Sequence, residues 1–183
     1  MNFEEKTLKK ETVFEGKLIK VDVEQVETPK GKLATREIIH HAPAIAILAI
    51  TDDDKMIIEK QWRSPIHDTT WEIPAGKIDS RDGTDALHAA KRELNEETRY
   101  EASKIKEISS FYTSIGVLDE FMTLYLATGL TPVKEELPQD RDEQLVLKTV
   151  TLAEALEMIN KKEIQDAKTI MAIYYWQGMM NRG

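Results

Sequence analysis

The sequence contains no cysteine, no long apolar run and no excess of basic residues. Without cysteine, disulfides, thiolate catalysis and zinc–thiolate sites are excluded, which suits a reducing cytoplasm. The first residues, MNFEEKTLKKETVFEG, carry no apolar segment after their charges, and no later run approaches the roughly eighteen apolar residues of a membrane span. We therefore expect a soluble, unexported, cytoplasmic protein with no membrane partner.

The charge balance is acidic, with 33 Asp and Glu residues against 25 Lys and Arg residues and a pI near 5.1. A nucleic-acid polymer is an improbable ligand, because phosphate backbones bind to basic stripes. A small phosphate compound remains compatible, since a divalent ion allows an acidic protein to bind phosphates. The length of 183 residues fits one domain, or one domain with a small appendage.

The most informative stretch is residues 76–100, which run from a turn glycine through a polar loop into a predicted helix. Glu93, Glu96 and Glu97 are spaced by three and four residues, so a helix places their carboxylates on one arc. Such stacking of like charge is unfavourable unless a cation is bound, and hard ions such as Mg²⁺ are what clustered carboxylates bind best. The alternative interpretation is a solvated acidic face.

The remaining residues of this helix predict how it packs. The opposite arc is a narrow apolar stripe that is expected to face a core, formed by Leu87, Ala90, Leu94 and Thr98. Ala86 and Ala89 fall on the carboxylate side, where small side chains are expected to leave room for a ligand.

The segment RELNEETRY at 92–100 resembles the core of the Nudix box, whose pattern is G-x5-E-x7-R-E-U-x-E-E-x-G-U. The matching residues are Gly76, Arg92, Glu93, Leu94, Glu96, Glu97 and Tyr100. Counted back from Arg92, Gly76 is two residues too distant, which indicates an insertion in the loop SRDG. The first glutamate of the pattern then falls on Thr84 and its late glycine on Arg99, with Asp79 and Asp82 as nearby acids that could compensate.

The residues before the box narrow the resemblance to the branch of ADP-ribose pyrophosphatases. Arg63 follows Trp62, and WEIPAG at 71–76 leads into the box. The resemblance implies that Arg63 and Glu72 contact a nucleotide-sugar and that the carbonyl of Ala75 is a metal ligand. For Arg63, a salt bridge to one of the many acids is the competing interpretation.

Two downstream segments are weaker matches to the same branch. FYTSIG at 111–116, with Asp119 and Glu120 after it, lacks the two prolines of the branch, and both acids could equally be plain loop residues. In the acidic loop at 131–144, Glu143 fits the last acid of a D-E-x-E-like element, while Arg141 stands where the branch has its catalytic glutamate. Glu143, Asp142 and Glu97 all remain candidates for the general base.

The alternation of elements predicts an α/β fold, namely a Nudix-type α/β/α sandwich with a mixed sheet, preceded by a small N-terminal β subdomain. We expect a hairpin over residues 13–41 within a subdomain of residues 1–41, and the hydrolase domain in residues 42–183. The resemblance implies a homodimer in which the subdomain reaches its partner and brings Arg36 to the neighbour's substrate, although Arg36 could equally be a solvated strand residue.

The reaction that the resemblance implies is the Mg²⁺-dependent hydrolysis of ADP-ribose to AMP and ribose 5-phosphate, with Mn²⁺ as a substitute ion. Glu93, Glu97 and Glu143 would be catalytic, and the metal ligands would be Ala75, Glu93, Glu96 and Glu97. Arg92 would orient the glutamates. Two alternatives stay open: a Nudix pyrophosphatase for another nucleotide-sugar or a dinucleotide, and a catalytically impaired regulator that binds nucleotides.

Overall fold

The computed structural model describes residues 2–139 and 144–181. The chain divides into two compact units. The first comprises the residues up to Pro43 together with Tyr112–Phe121, and the second comprises Ala44–Phe111 and the residues from Met122 onward.

The first unit contains a three-stranded antiparallel sheet with its second strand in the centre, built from β1 (Lys6–Glu15), β2 (Ile19–Glu27) and β3 (Leu33–His41). The hairpin predicted over residues 13–41 is therefore incomplete, because the sheet begins with an additional strand. Every residue of β1 is exposed, so no apolar alternation marks it in the sequence. Lys6, Lys9 and Lys10 lie in this strand, and Nζ of Lys10 is 2.7 Å from Oδ2 of Asp22.

Asp119 and Glu120 are bound to β3 within the same unit. Asp119 accepts the N–H of His41 at 2.9 Å, and its second carboxylate oxygen lies 2.5 Å from Nδ1 of His40. Glu120 accepts the hydroxyl of Thr113 at 2.7 Å and lies 3.1 Å from Nδ1 of His41. These contacts favour the interpretation of both acids as structural loop residues.

The second unit contains two sheets. A four-stranded sheet has the order β7-β4-β9-β8 and a three-stranded sheet has the order β10-β5-β6. The strands are β4 (Ala44–Ala49), β5 (Met56–Arg63), β6 (Asp68–Glu72), β7 (Ala75–Lys77), β8 (Tyr100–Tyr112), β9 (Phe121–Pro132) and β10 (Val146–Val150). Because β4 is parallel to β9 and antiparallel to β7, the larger sheet is mixed, as predicted.

The helices are α1 (Ala86–Thr98), α2 (Leu152–Asn160) and α3 (Ala167–Met180). Asp85 caps α1 by accepting the N–H groups of Leu87 and His88. Thr151 and Glu154 form a capping box at the start of α2, and Asp166 caps α3. Within the part of the chain that the structure describes, no helix has the length and apolar character that crossing a membrane requires.

The central strand β4 shows why the second unit is a three-layer sandwich. All six of its residues are apolar, and all six are buried. Ala44, Ala46 and Leu48 pack in a cluster with α2 and α3, whereas Ile45, Ile47 and Ala49 pack in a second cluster with α1. Alternate residues of a strand point to opposite faces, so α1 covers one face and the other helices cover the opposite face. The predicted α/β/α arrangement is confirmed.

Candidate active site

The three glutamates of α1 are buried. The exposed fractions are 8% for Glu93, 4% for Glu96 and 2% for Glu97. A solvated acidic face is thereby contradicted. Buried carboxylates require charged or hydrogen-bonding partners, since transfer of an unpaired charge from water is very costly.

The packing of α1 corrects part of the helical pattern. Ala90, Leu94 and Thr98 are buried as expected, but Leu87 is 37% exposed. Ala89, which was predicted to leave room beside the carboxylates, is fully buried in the cluster that contains Ile45 and Ile47. The space beside the carboxylates is therefore not provided by Ala89.

Gly76 allows strand β7 to approach the helix closely. A Cβ atom built on Gly76 would lie 1.9 Å from Oε1 of Glu93, far inside any permitted contact. One residue earlier, the N–H of Ala75 donates to Oε2 of Glu97 at 3.0 Å. The absence of a side chain at Gly76 therefore lets two carboxylates of α1 lie against the backbone of this strand.

Arg92 is the cation at the centre of the cluster. Its Nη1 donates to Oε1 of Glu93 at 2.8 Å and to Oε2 of Glu96 at 2.7 Å. Its Nε and Nη2 donate to the two carboxylate oxygens of Asp82 at 3.0 and 2.7 Å. The guanidinium thus joins the loop to the helix, which is consistent with the predicted orienting role of Arg92.

Asp82 is the residue of this site that the sequence prediction undervalued. Its side chain is fully buried, and the bonds from Arg92 hold its pKa well below the usual range although burial opposes ionisation. Five residues separate Gly76 from Asp82, so Asp82 satisfies the G-x5-E spacing when the box is counted forward. The structure gives this place to Asp82 instead of Thr84, and the two extra residues lie between Asp82 and Arg92.

The loop also places a second arginine on the cluster. Nη1 of Arg81 donates to Oε1 of Glu96 at 3.1 Å, while its Nε bonds Asp79 at 2.9 Å. Glu96 is therefore held between two guanidinium groups, from Arg81 and Arg92.

The donor set fits a divalent metal ion in its chemistry. Carboxylate and backbone carbonyl oxygens are the ligands that Mg²⁺ prefers, and Glu93, Glu96, Glu97 and Ala75 supply both kinds. Among residues 2–139 and 144–181, no three Asp, Glu or His side chains are grouped as a ready metal site. Arg92 lies between Glu93 and Glu96, so binding of an ion requires these ion pairs to rearrange.

Arg99 shows why the family pattern has a glycine at this position. It ends α1 with a φ of 65°, in the left-handed region, and its N–H donates to the carbonyl of Asn95. Glycine adopts this conformation without the steric cost that a Cβ atom brings. The departure from the pattern is therefore accommodated by the helix end, and it lies outside the carboxylate cluster.

Replacement of Arg99 by Gly is expected to give a protein more stable than replacement by Ala, by about 1 kcal/mol. Both variants lose the contacts of the guanidinium with Leu137 and Glu136, so their difference isolates the backbone strain. Urea denaturation of the two variants measures it. Equal free energies of unfolding would contradict strain at this position.

Arg63 and Glu72 form a bidentate pair. Nε and Nη2 of Arg63 donate to the two carboxylate oxygens of Glu72 at 2.7 and 2.8 Å. Glu72 also binds Nζ of Lys168. The pair lines an open groove of about 800 Å³, bounded further by Trp71, Asp166 and Lys168. The salt bridge foreseen for Arg63 is present, and it lies in a groove where a ligand has access.

The remaining predicted site residues are Arg36 and Glu143. Arg36, in the first unit, donates through Nε and Nη2 to both oxygens of Glu5 at 2.9 and 2.6 Å. Glu143, the predicted catalytic acid of the downstream loop, lies outside the described residues, as do Asp142 and Arg141. Trp62, which precedes Arg63, is 57% exposed and is therefore not a core residue.

Comparison with known families agrees with the geometry. The model of the NUDIX domain matches residues 40–173, and the model of the nucleoside diphosphate sugar hydrolase N-terminal domain matches residues 5–39. Together they cover most of the chain, and the two matches meet within β3.

Individual relatives match over nearly the full length. An ADP-ribose pyrophosphatase from Bacillus subtilis is 46% identical over 176 residues, which are 96% of this chain and 94% of the relative. A methanol dehydrogenase activator from Bacillus methanolicus is 43% identical over 175 residues, with 96% and 94% covered.

A solved structure of an ADP compounds hydrolase superimposes with a TM-score of 0.86 at 22% identity, covering 99% of this chain and 97% of that one. At this identity the likeness establishes the fold alone. The family model and the close relatives confirm the resemblance that the box residues indicated. This chain belongs to the Nudix hydrolase family, in the branch that contains the ADP-ribose pyrophosphatases.

Proposed function

We propose that the protein hydrolyses the diphosphate of ADP-ribose and releases AMP and ribose 5-phosphate. The observation that carries the proposal is the buried cluster of Glu93, Glu96 and Glu97 against a strand with no side chain at Gly76. The substrate is supported by the Bacillus subtilis relative, an ADP-ribose pyrophosphatase that aligns with nearly the whole chain.

A divalent ion held by the three glutamates and the carbonyl of Ala75 would supply positive charge to the diphosphate oxygens as the phosphorus is attacked. Arg92 is bonded to both Glu93 and Glu96, and after these ion pairs rearrange around an ion it would still orient the two carboxylates. Glu97, held by the N–H of Ala75, is our candidate to take the proton of the attacking water. Glu143 stays a predicted catalytic residue in the undescribed part of the loop.

Arg63 and Glu72 are the proposed contacts to the nucleotide-sugar. Glu72 uses both carboxylate oxygens on Arg63, while the side chain of Arg63 remains 42% exposed beside the groove. An arginine that is fixed on one edge and exposed on the other suits recognition of a phosphate.

The proposal includes Mg²⁺ as the ion, with Mn²⁺ as a substitute, and a homodimer in the cytoplasm. Oxygen donors favour both ions, and the lack of cysteine suits a reducing compartment. The dimer is supported by β1, an edge strand whose Leu8, Val13 and Phe14 are at least 50% exposed. Arg36 keeps its proposed contact to the neighbour's substrate, which would require its pair with Glu5 to open.

The test is a substrate panel with the purified protein. ADP-ribose, other nucleotide-sugars and dinucleotides are each incubated with Mg²⁺, with Mn²⁺ and with excess chelator, and the products are separated by chromatography. We expect AMP and ribose 5-phosphate from ADP-ribose with either ion and none with chelator. Faster cleavage of another compound would reassign the substrate within the same reaction.

A second candidate is a regulator that binds a nucleotide and acts on another protein. The observation that favours it is the relative from Bacillus methanolicus, a methanol dehydrogenase activator of nearly equal identity. Calorimetry that finds tight ADP-ribose binding, with no product formed over hours, would support the regulator and contradict hydrolysis.

A further inference from the structure

Lys168 is a buried lysine that the motifs of the chain leave without a role. Its side chain is 9% exposed, and it lies in the first turn of α3, just after the cap residue Asp166. Lysine is rarely buried unless it is paired. A buried ammonium group near a helix N-terminus is also opposed by the helix dipole. The position therefore requires specific partners.

The partners are two carboxylates from different parts of the chain. Nζ of Lys168 binds Oε2 of Glu72 and lies 3.1 Å from Oδ2 of Asp166. Glu72 is 96 residues away in the sequence and sits at the end of β6. Burial opposes ionisation of Glu72, but the bonds from Arg63 and the charge of Lys168 outweigh it and hold its pKa below the usual range.

The same turn of α3 also binds Ile73, the residue that follows β6. Oγ1 of Thr169 accepts the buried N–H of Ile73 at 3.0 Å and donates to Asp166 at 2.6 Å. Residues 73–76 lead directly from this contact to Ala75 and Gly76. The start of α3 thus fixes the segment that connects the groove to the carboxylate cluster.

The pairing leaves one edge of Arg63 available. Its Nε and Nη2 are bonded to Glu72, while Nη1 has no hydrogen-bond partner among residues 2–139 and 144–181. Because Lys168 shares Oε2 of Glu72 with Nη2 of Arg63, it limits the orientations that the carboxylate can take. The direction of the remaining guanidinium edge depends on that orientation.

We propose that Lys168 is a positioning residue for substrate binding: it locks Glu72 so that Arg63 presents its unpaired edge to the phosphate of a nucleoside diphosphate compound in the groove. The inference rests on the proposed function and deepens it. Because the contacts of Lys168 are to Glu72 and Asp166, it acts on binding and leaves the chemical step largely unchanged.

The test compares Lys168→Met, Lys168→Arg and Lys161→Met. Lys161 is an exposed lysine whose ion pair, with Glu157, is on the surface. For Lys168→Met we expect the KM for ADP-ribose to rise about tenfold or more, as after loss of a charged hydrogen bond, with kcat within about threefold of wild type. Lys168→Arg should recover most of the affinity, and Lys161→Met should match wild type.

A second readout separates this inference from the proposed function. ADP-ribose is titrated calorimetrically into each protein in chelator, where no hydrolysis occurs, and Lys168→Met should bind about tenfold more weakly than wild type. If the wild-type protein binds ADP-ribose but does not cleave it when Mg²⁺ or Mn²⁺ is present, that result contradicts the proposed function and leaves the role of Lys168 in binding intact. Unchanged KM and Kd in Lys168→Met, or a loss confined to kcat, would overturn the role of Lys168.

Thermal melting of every variant before the assay checks that it is folded. If Lys168→Met does not fold, Lys168→Gln replaces it, because its amide retains a neutral donor for Glu72. A weaker rise in KM is then expected, with the same constancy of kcat. Wild-type affinity in folded Lys168→Gln would contradict the need for a charge at this position.

Discussion

Glu97→Gln is expected to lower the turnover of ADP-ribose by about a hundredfold or more, on the order of the loss seen when one charge-stabilising group is removed from an active site. Glu97 is 2% exposed and accepts the N–H of Ala75. Glutamine keeps the shape of the side chain, and its amide oxygen can accept the same bond. What it removes is a negative charge, and with it the two roles that we propose for Glu97, binding of a divalent ion and acceptance of a proton.

Glu101→Gln is the matched control, since Glu101 is an exposed glutamate on β8, four residues further on. It should have wild-type turnover. Thermal melting checks that both variants are folded, and calorimetric titration with Mg²⁺ should find weakened binding only in Glu97→Gln. If Glu97→Gln turned over ADP-ribose at the wild-type rate, Glu97 would have no place in the reaction.

The carboxylate cluster was predictable because its geometry is local. Glu93, Glu96 and Glu97 belong to one helix, and helical spacing alone puts them on one arc. The apolar run of β4 was equally clear, since a strand buried on both faces needs apolar residues throughout.

The helical pattern did not predict the burial of Ala89 and Leu87 correctly, because their burial depends on what packs against α1. A helical projection gives the direction of Ala89 but not the neighbours around α1, which packs against both β4 and β7. Ala89 is therefore core, while Leu87 at the first turn stays partly exposed. Strand β1 was missed for a different reason: its ten residues are all exposed, so no hydrophobic alternation remains in its sequence.

The long-range contacts had no local signal. Lys168 and Glu72 meet only because the start of α3 packs against the end of β6. Neither helical nor strand periodicity relates two residues so far apart. The feature that marks Lys168 is its burial beside the cap residue of α3, and burial is known only once the fold is known.

The loop between Gly76 and α1 was predicted only in part, because the spacing within the box is local while the contact of Asp82 with Arg92 depends on the fold. Asp82→Ala is expected to destabilise the protein by about 3 kcal/mol, at the low end of the cost of breaking a buried ion pair. Arg92 loses two hydrogen bonds to Asp82 but keeps Glu93 and Glu96. Turnover should also fall, about tenfold or more, because Asp82 would hold Arg92 against the proposed metal ligands, and loss of such an orienting residue affects activity at that level.

Asp79→Ala is the control within the same loop. The side chain of Asp79 is 35% exposed and pairs with Arg81 at the surface, so its loss should cost less than about 1 kcal/mol. Urea denaturation of both variants measures this difference. Adding Arg92→Met alone, and Asp82→Ala combined with Arg92→Met, completes a double-mutant cycle. We expect strong non-additivity, since Asp82 and Arg92 are joined by two buried hydrogen bonds. Additive effects would mean that Asp82 does not hold Arg92, and Thr84 would again compete for its place in the box.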